Sequence, residues 1–562
     1  MRFLAITVFF LAQLGASTSV ARKRNCKCFP GDACWPSEHE WNAFNRTVGG
    51  RLIKTVPLGS PCHDPNYNGA LCEELKAQWT LSPTHLDAPS SIQAAIFTNA
   101  SCDPFTPRSS PCLLGNYVHY AVNVSGPEDI ASTIRFAKKR NIRLVIKNTG
   151  HDYMGRSTGA GGLSIWTHYL KGTQIKDWSD DEYTGKAIKI GAGVVGHEVL
   201  AAAAAAGLVV STGECPTVGV AGGWIQNGGH SPLATAFGLG ADQTLEFEVV
   251  TADGRFVTAS PSSPKYSDLF WALSGAGAGN YGVVVSVTMR THPDAVTSGA
   301  SFHIQGPNID FSAVLNAWHA SLPGLLDAGL MATYLAAKDQ LLVDPITGYN
   351  RTKSDLEAAL TPFITSLAAM DIALQPNYTQ FDSYHDFYLH YFGPLPGGRY
   401  GTVSSQIMGS RLLSREHLAV AGPAINETLQ MGATLIGQAM DVSRFHSPAR
   451  AVLPQWRDAA ASSAFCLPYD LQAPISEMEA RQDRITDVVM PVIEAVSPGA
   501  GAYINEADYQ QEDWQWVFFG ANYKRLLWVK RKYDPDGVFY NKIAVGSERW
   551  EVRPDGRMCE AH

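Results

Sequence analysis

Apolar and polar residues follow patterns that predict a strand, a helix and a second strand from residue 117 onward. Residues 117–124 and 142–146 are apolar runs of strand length, and apolar residues between them recur at helical spacing. Ser125 and Gly126 stand where a helix cap is expected, with Pro127 in the first turn. The pattern therefore predicts that a β-α-β unit opens the main core.

Strand patterns continue after this unit, and the order of predicted elements changes near residue 295. A helix is predicted to end at Gly207, which suits the position after a helix. From about 295 to 500, helical stretches alternate with strand-like pieces. The order predicts an α/β (α+β) protein with two main domains. Further strands are predicted at residues 187–190, 208–211, 245–251, 256–258 and 281–289, and helices at 200–206, 354–369 and 477–496.

Length and charge limit the classes of protein that the chain can represent. With 562 residues it is too long for one hydrophobic core. Its 45% apolar and 17% charged residues are an ordinary globular mixture, which argues against extensive disorder. The net charge is −8 and no basic stripe occurs, so nucleic acid is not an expected partner.

The N-terminus has the pattern of a secretory signal peptide over residues 1–21. Arg2 supplies a positive charge, residues 3–14 are apolar, and small residues end the segment at Ala21. The apolar run is too short to span a bilayer, and no later run is long enough. We therefore expect a secreted, extracellular protein without a membrane anchor.

The number and clustering of the cysteines are consistent with an extracellular location. Seven of the ten lie between Cys26 and Cys112, which predicts a disulfide-stapled N-terminal extension over residues 22–114 with its pairing left open. No paired CxxC motifs occur, so we expect no metal site. Glycosylation is a further expectation, because N-x-S/T sequons occur at Asn45, Asn99, Asn123, Asn350, Asn377 and Asn426.

Two glycine-containing loops are the main candidates for binding chemistry. Each has backbone N–H groups that can form a nest for a pyrophosphate, although tight turns alone could explain the glycines. The first loop follows the strand that ends at Ile146 and comprises Lys147, Asn148, Thr149, Gly150, His151 and Asp152. The second loop surrounds Cys215 and includes Gly213, Val218, Gly219, Gly222, Gly223 and Asn227.

A different glycine motif leaves a nicotinamide cofactor open. Residues 191–196 read G-x-G-x-x-G between a predicted strand and helix, and Glu214 lies roughly 20 residues on, as in a Rossmann NAD(P) site. A second match, at residues 277–282, precedes a strand instead of following one, which is the wrong order for such a site.

Several spaced motifs together resemble the berberine bridge enzyme-like branch of the vanillyl-alcohol oxidase flavoproteins. They are Gly150-His151 after a strand, the segment 213–220 around Cys215, residues 268–273, Asn522-Tyr523 and residues 532–535. The resemblance covers about residues 115–545. It is strongest to secreted fungal FAD-linked oxidoreductases of the isoamyl alcohol oxidase-like kind.

This resemblance implies a fold and a cofactor. A PCMH-type FAD-binding domain would comprise residues 115–295 and a C-terminal segment 506–562, split around a substrate domain over 296–505. Its FAD would be bound through two covalent bonds, from His151 to the 8α-methyl group and from Cys215 to C6, with Asn522 among the contacts. Imidazole and thiolate are nucleophiles suited to an electrophilic flavin. Taken singly, His151 could be a loop histidine and Cys215 a buried thiol or half of a disulfide.

The resemblance also implies a role for Val218 and leaves the catalytic base uncertain. In relatives a valine at this position accompanies oxygen access, so Val218 favours an oxidase. Plant relatives place a tyrosine base where Glu506 stands here. A shielded carboxylate can act as a base, so Glu506 is the leading candidate. Tyr503, Asn505 and Asp508 remain alternatives, as does a surface role for Glu506.

We therefore predict a monomeric FAD-dependent oxidase of a small-molecule alcohol. Hydride would pass to the flavin, and O₂ would be reduced to hydrogen peroxide. The alternatives are a flavin-dependent dehydrogenase or oxidative cyclase of secondary metabolism, an NAD(P) enzyme, and a non-catalytic secreted glycoprotein.

Overall fold

A computed structural model describes residues 25–395, 398 and 406–561. The predicted signal peptide lies outside these residues. The helices are α1 (Glu38–Thr47), α2 (Gly69–Gln78), α3 (Ser82–Leu86), α4 (Pro127–Arg140), α5 (Gly196–Ala204), α6 (Ala234–Phe237), α7 (Ser267–Leu273), α8 (Phe311–Asp327), α9 (Lys353–Ala368), α10 (Tyr384–Phe392), α11 (Arg415–Val420), α12 (Gly422–Gln430), α13 (Ile475–Arg484), α14 (Met490–Ala495), α15 (Trp514–Phe519) and α16 (Tyr523–Tyr533).

The strands form three main sheets and two short pairs. They are β1 (Leu52–Lys54), β2 (Tyr120–Asn123), β3 (Leu144–Lys147), β4 (Leu163–Trp166), β5 (Thr173–Ser179), β6 (Thr184–Gly191), β7 (Leu208–Val209), β8 (Thr244–Val250), β9 (Phe256–Ala259), β10 (Val283–Arg290), β11 (His292–Pro293), β12 (Thr297–Gln305), β13 (Met331–Ala337), β14 (Gln340–Tyr349), β15 (Asn377–Phe381), β16 (Gln406–Ser414), β17 (Thr434–Ala439), β18 (Ala459–Pro468), β19 (Trp550–Val552) and β20 (Met558–Glu560).

The predicted β-α-β unit is present as β2, α4 and β3. These strands lie in a four-stranded sheet of order β1-β2-β4-β3, where β4 runs parallel to both β2 and β3. Helix α4 buries Ile130 and Ile134 against this core. Gly126 occupies the cap position without a side-chain bond, whereas Ser125 donates through both its N–H and its hydroxyl to Asp129.

A second, antiparallel sheet of order β5-β6-β10-β8-β9 completes this half of the molecule. It contains the predicted hairpin, in which β8 pairs with β9. The NAD(P) alternative fails here, because β6 has only antiparallel neighbours and β7 pairs with β11 instead. Side chains at Gly191 and Gly193 would collide with the carbonyls of Leu170 and His168, so these glycines allow close backbone packing.

The N-terminal extension is part of the same core. Strand β1 pairs antiparallel with β2, and α1 buries Trp41 and Phe44 in the shared apolar cluster. The sequence pattern did not indicate these elements. Disulfides are confirmed, and they join Cys26 to Cys559, Cys28 to Cys34, Cys62 to Cys72 and Cys102 to Cys112. Two buried cysteines, Cys215 and Cys466, are free thiols.

The other half is built on a seven-stranded sheet of order β15-β12-β14-β13-β17-β18-β16. Helices α8, α9, α12 and α14 pack on it and form a separate apolar core. Together with the first half, this confirms the α+β class. In the described part of the chain, no helix is both long and apolar enough to cross a bilayer.

Candidate active site

A cavity of about 410 Å³ lies between the two glycine-containing loops and the seven-stranded sheet. The first loop follows β3 and the second lies between β7 and α6, and residues of both line the cavity. The opposite wall comes from the sheet and includes Thr333, Leu342, Met408, Ile436 and Ala464. A site between two domains suits a cofactor on one side and a substrate on the other.

His151 and Cys215 both line this cavity, although they are 64 residues apart in the chain. Nε2 of His151 lies 3.9 Å from Sγ of Cys215. Burial lowers the pKa of His151 to about 3, helped by the charges of His85 and Lys147, so its ring is neutral. Burial also raises the pKa of the Cys215 thiol.

A threonine hydroxyl connects these two side chains. Oγ1 of Thr217 lies 2.7 Å from Nε2 of His151 and 3.2 Å from Sγ of Cys215. Thr217 is only 1% exposed. The imidazole, the thiol and the hydroxyl therefore form one contact group at the cavity wall.

Glycines keep the wall between the loops open. Gly150 has φ +85°, a conformation that L side chains rarely adopt, and its carbonyl accepts from the N–H of Gln93. A side chain at Gly219 would come within 2.7 Å of the Asn148 amide. The Asn148 Nδ2 group donates to the carbonyl of Ala192, while its buried Oδ1 finds no hydrogen-bond partner among the described residues.

A charged group lies elsewhere on the cavity lining. Oε1 of Glu506 is 3.0 Å from Nε2 of His230. Burial alone would lower the pKa of His230, but the carboxylates of Glu506 and Glu214 outweigh it and raise that pKa to about 9. Burial raises the pKa of Glu214, whose carboxylate accepts from the hydroxyl of Thr333. At neutral pH His230 is thus a buried imidazolium between two carboxyl groups.

An amide network fixes the residues next to Glu506. Asn505 donates to the carbonyl of Gly223 and to the hydroxyl of Tyr503, and its Oδ1 accepts from Asn227 at 2.7 Å. Burial and the charge of Glu506 raise the pKa of Tyr503, so its hydroxyl stays protonated. Tyr503 and Asn505 are therefore placed as hydrogen-bonding groups, and neither is set up as a base.

The structure brings most of the predicted site residues to the cavity. The lining includes Asn148, Thr149, Gly150, His151, Asp152, Gly213, Cys215, Val218, Gly219, Gly222, Gly223, Asn227, Tyr503, Asn505 and Glu506. Three residues lie outside it. Lys147 is fully buried behind the loop, with Nζ 3.4 Å from the carbonyl of His85. Asn522 donates to the carbonyls of Ala451 and Val452, and Asp508 accepts from Gln482.

Sequence reasoning missed or misassigned several charged residues of the site. His230 was not singled out, although it directly follows Gly228-Gly229 in the second glycine-rich stretch. Glu214 was considered only as a ribose ligand of the NAD(P) alternative, whereas its side chain bonds Thr333 of the opposite domain. Arg156 also lines the cavity and was not identified from the sequence.

These residues fit a flavin. The cavity has two nucleophiles within contact distance of each other, a glycine-lined wall and an amide oxygen that lacks a protein partner. A flat heteroaromatic ring with amide and imide groups complements such a wall, since backbone can approach it closely where glycine stands.

Comparison with known proteins agrees with this reading of the site. Residues 118–260 match the family described as "FAD binding domain", and residues 502–546 match "Berberine and berberine like". FAD-linked oxidoreductase ZEB1 of Gibberella zeae is 46% identical, over 96% of this chain and 95% of that protein. VAO-type flavoprotein oxidase VAO615 of Thermothelomyces thermophilus is 41% identical, over 100% and 99%.

A solved structure is also similar over nearly its whole length. The crystal structure of the VAO-type flavoprotein MtVAO615 from Myceliophthora thermophila C1 superimposes with a TM-score of 0.92. It is 39% identical, and the match covers 95% of this chain and 100% of that one.

Proposed function

This chain belongs to the FAD-linked oxidoreductases of the vanillyl-alcohol oxidase type, in their berberine bridge enzyme-like branch, and we propose that it is a secreted alcohol oxidase. The observation that carries the proposal is the approach of His151 and Cys215 to within 3.9 Å at one cavity. Two nucleophiles so placed suit a doubly attached FAD, bonded through the imidazole of His151 and the sulfur of Cys215. Bound FAD would take up two electrons from the substrate as a hydride.

Glu506 is the proposed base for the substrate hydroxyl. Its Oε1 accepts a charge-assisted hydrogen bond from His230, which leaves Oε2 for the hydroxyl proton. The imidazolium of His230 holds Oε1 in place, and the backbone-bonded Asn505 fixes the segment beside Glu506. Thr333 and Glu214 also border the cavity and limit where the substrate can lie.

Dioxygen is the proposed electron acceptor, and hydrogen peroxide the second product. The small side chain of Val218 lines the cavity three residues after Cys215, which supports access for oxygen. Disulfides and the N-terminal pattern support secretion, since disulfides persist in oxidising compartments. We propose a monomer that acts on a small molecule.

Two measurements test the cofactor and the acceptor. The holoenzyme is precipitated in acid, and a yellow pellet is expected, because covalent flavin stays with the protein. Cys215→Ala should leave the flavin singly attached through His151. A colourless wild-type pellet would show that the attachment is wrong.

An oxygen-consumption screen over primary, secondary and sugar alcohols then tests the reaction. Once a reducing substrate is found, the reduced enzyme is mixed with air. Rapid reoxidation with release of peroxide is expected. Slow reoxidation would reject the oxidase in favour of a dehydrogenase or an oxidative cyclase.

A further inference from the structure

One hydroxyl group touches both residues that would hold the flavin. Oγ1 of Thr217 lies 2.7 Å from Nε2 of His151 and 3.2 Å from Sγ of Cys215, whereas these two atoms are 3.9 Å from each other. The hydroxyl therefore bridges an imidazole and a thiol that make only a long contact directly. Thr217 is 1% exposed, so its hydroxyl is shielded from bulk water.

We propose that Thr217 is a positioning residue for flavin attachment, whose hydroxyl orients the His151 ring and activates the Cys215 sulfur. This role rests on the doubly attached FAD proposed above. In this proposal a third side chain, that of Thr217, promotes the formation of both covalent bonds.

The hydroxyl selects the nitrogen of His151 that reacts. A neutral imidazole has one N–H donor and one nitrogen with a free electron pair. When Nε2–H donates to Oγ1 of Thr217, the free pair lies on Nδ1. The low pKa of His151, about 3, keeps this pair unprotonated. The same hydrogen bond fixes the plane of the ring, so Nδ1 is presented in one direction.

The hydroxyl also acts on Cys215. In the tautomer with Nε2–H, where Oγ1 accepts from the imidazole, the O–H of Thr217 is available to donate to Sγ. Such a bond stabilises the thiolate, which is the reactive form of cysteine. Burial holds the pKa of Cys215 above the ordinary value, and the Thr217 hydroxyl and backbone act against this. Without that donor the buried thiol would ionise less readily.

Each attachment balances with dioxygen as the oxidant. The Nδ1–carbon or sulfur–carbon bond would form while one hydrogen leaves the flavin carbon and the other leaves Nε2 of His151 or Sγ of Cys215. Dioxygen accepts these two hydrogens with their two electrons and leaves as hydrogen peroxide. Thr217 is unchanged at the end, as a positioning residue must be.

The backbone on both sides of Thr217 is anchored, so its hydroxyl has a defined position. The carbonyl of Pro216 accepts from the N–H of His197, and the carbonyl of Val218 accepts from the N–H of Gly196. Both donors belong to the first turn of α5. Both residues next to Thr217 are therefore hydrogen-bonded to the same helix.

The test compares Thr217→Val with Thr217→Ser and with Thr133→Val. Valine keeps the shape of threonine but removes the hydroxyl, and serine restores it. Thr133 is a buried threonine of α4 whose hydroxyl donates to the Asp129 carbonyl, so its substitution controls for loss of a buried hydroxyl. The flavin retained after acid precipitation and the mass of flavin-linked peptides are measured for each purified holoenzyme.

We expect Thr217→Val to lower the doubly attached fraction by about tenfold, the effect of losing a hydrogen bond to a charged group, while Thr217→Ser and Thr133→Val stay near the wild type. Equal double attachment in Thr217→Val overturns the proposal, and so does a loss that serine does not restore. If the valine variant does not fold, Thr217→Ala removes the same hydroxyl with a smaller side chain. A wild type without attached flavin would instead overturn the proposed function.

Discussion

Oε1 of Glu506 and Nε2 of His230 are 3.0 Å apart at the cavity wall, and the two side chains differ in exposure. That of His230 is 7% exposed and that of Glu506 is 24% exposed, so the histidine is the buried partner and the carboxylate faces the cavity. The imidazolium of His230 is therefore buried in the protein, and the carboxylate of Glu506 is oriented to accept a proton from a molecule in the cavity.

Replacing Glu506 by glutamine tests whether its carboxylate is the proton acceptor. Glu506→Gln keeps a hydrogen-bond acceptor for His230 but cannot take up a proton, so flavin reduction should slow by about 10²–10⁴-fold. The rate is measured anaerobically by stopped flow with a substrate from the oxygen screen. Glu477→Gln, which affects an exposed ion pair with Arg481, is the control. An unchanged rate in Glu506→Gln would exclude this residue as the base.

The stability contributed by His230 should depend on pH. Its pKa is raised in the folded protein to about 9, so the stabilisation is complete below the unfolded pKa near 6.5 and is lost as pH rises through 9. The contribution is about 3 kcal/mol at 1.36 kcal/mol per pKa unit. Denaturant unfolding should therefore separate His230→Gln from the wild type widely at about pH 6 and little at about pH 10. A gap independent of pH would contradict the ion pair, and in the Glu506→Gln background the loss of stabilisation as pH rises through 9 should no longer appear.

Enlarging Val218 should slow reoxidation of the flavin by oxygen without slowing its reduction by the substrate. Val218→Ile adds one methylene group to the cavity wall and should slow reoxidation by air about tenfold, within the usual cost of overpacking. Anaerobic reduction by substrate should remain close to the wild-type rate. Val284→Ile adds the same group elsewhere on the cavity lining and serves as the control. If both variants reoxidise at the wild-type rate, Val218 does not control oxygen access.

The disulfide between Cys26 and Cys559 should stabilise the enzyme more than a local one. It spans 533 residues, whereas the Cys102–Cys112 disulfide spans 10, and closing a longer loop restricts the unfolded chain more. Double replacement by serine should cost about 2–5 kcal/mol for the long-range pair and less for the local pair. Thermal inactivation half-lives of the two double variants are compared, and the reverse order would contradict this expectation.

Local signals predicted the parts of the site that lie within one loop. The strand before His151 and the glycines around Cys215 are readable because turn chemistry and apolar runs act over a few residues. The pairing of His230 with Glu506 was not readable, since the two are 276 residues apart and meet only through tertiary packing. Strand β1 escaped for a related reason: three residues have too short a pattern, and the strand is defined by its pairing with β2.

The free thiol of Cys466 shows a further limit. With Cys215 set aside, nine of the ten cysteines remain and at least one must be unpaired, but the sequence does not show which one. In the structure Cys466 lies on β18, with its sulfur 3.9 Å from Oε1 of Gln406. Which cysteines pair depends on distances between Cα atoms, which a single sequence does not contain.

The segment before Cys215 is held from across the domain boundary. Tyr388 of α10 donates to the carbonyls of Gly213 and Glu214, and Thr333 of β13 donates to the Glu214 carboxylate. A flavin-domain fragment produced by itself would lose all of these donors. The Cys215 thiol would then lose part of the support that keeps it beside the His151 imidazole, so the substrate domain helps to build the flavin attachment site.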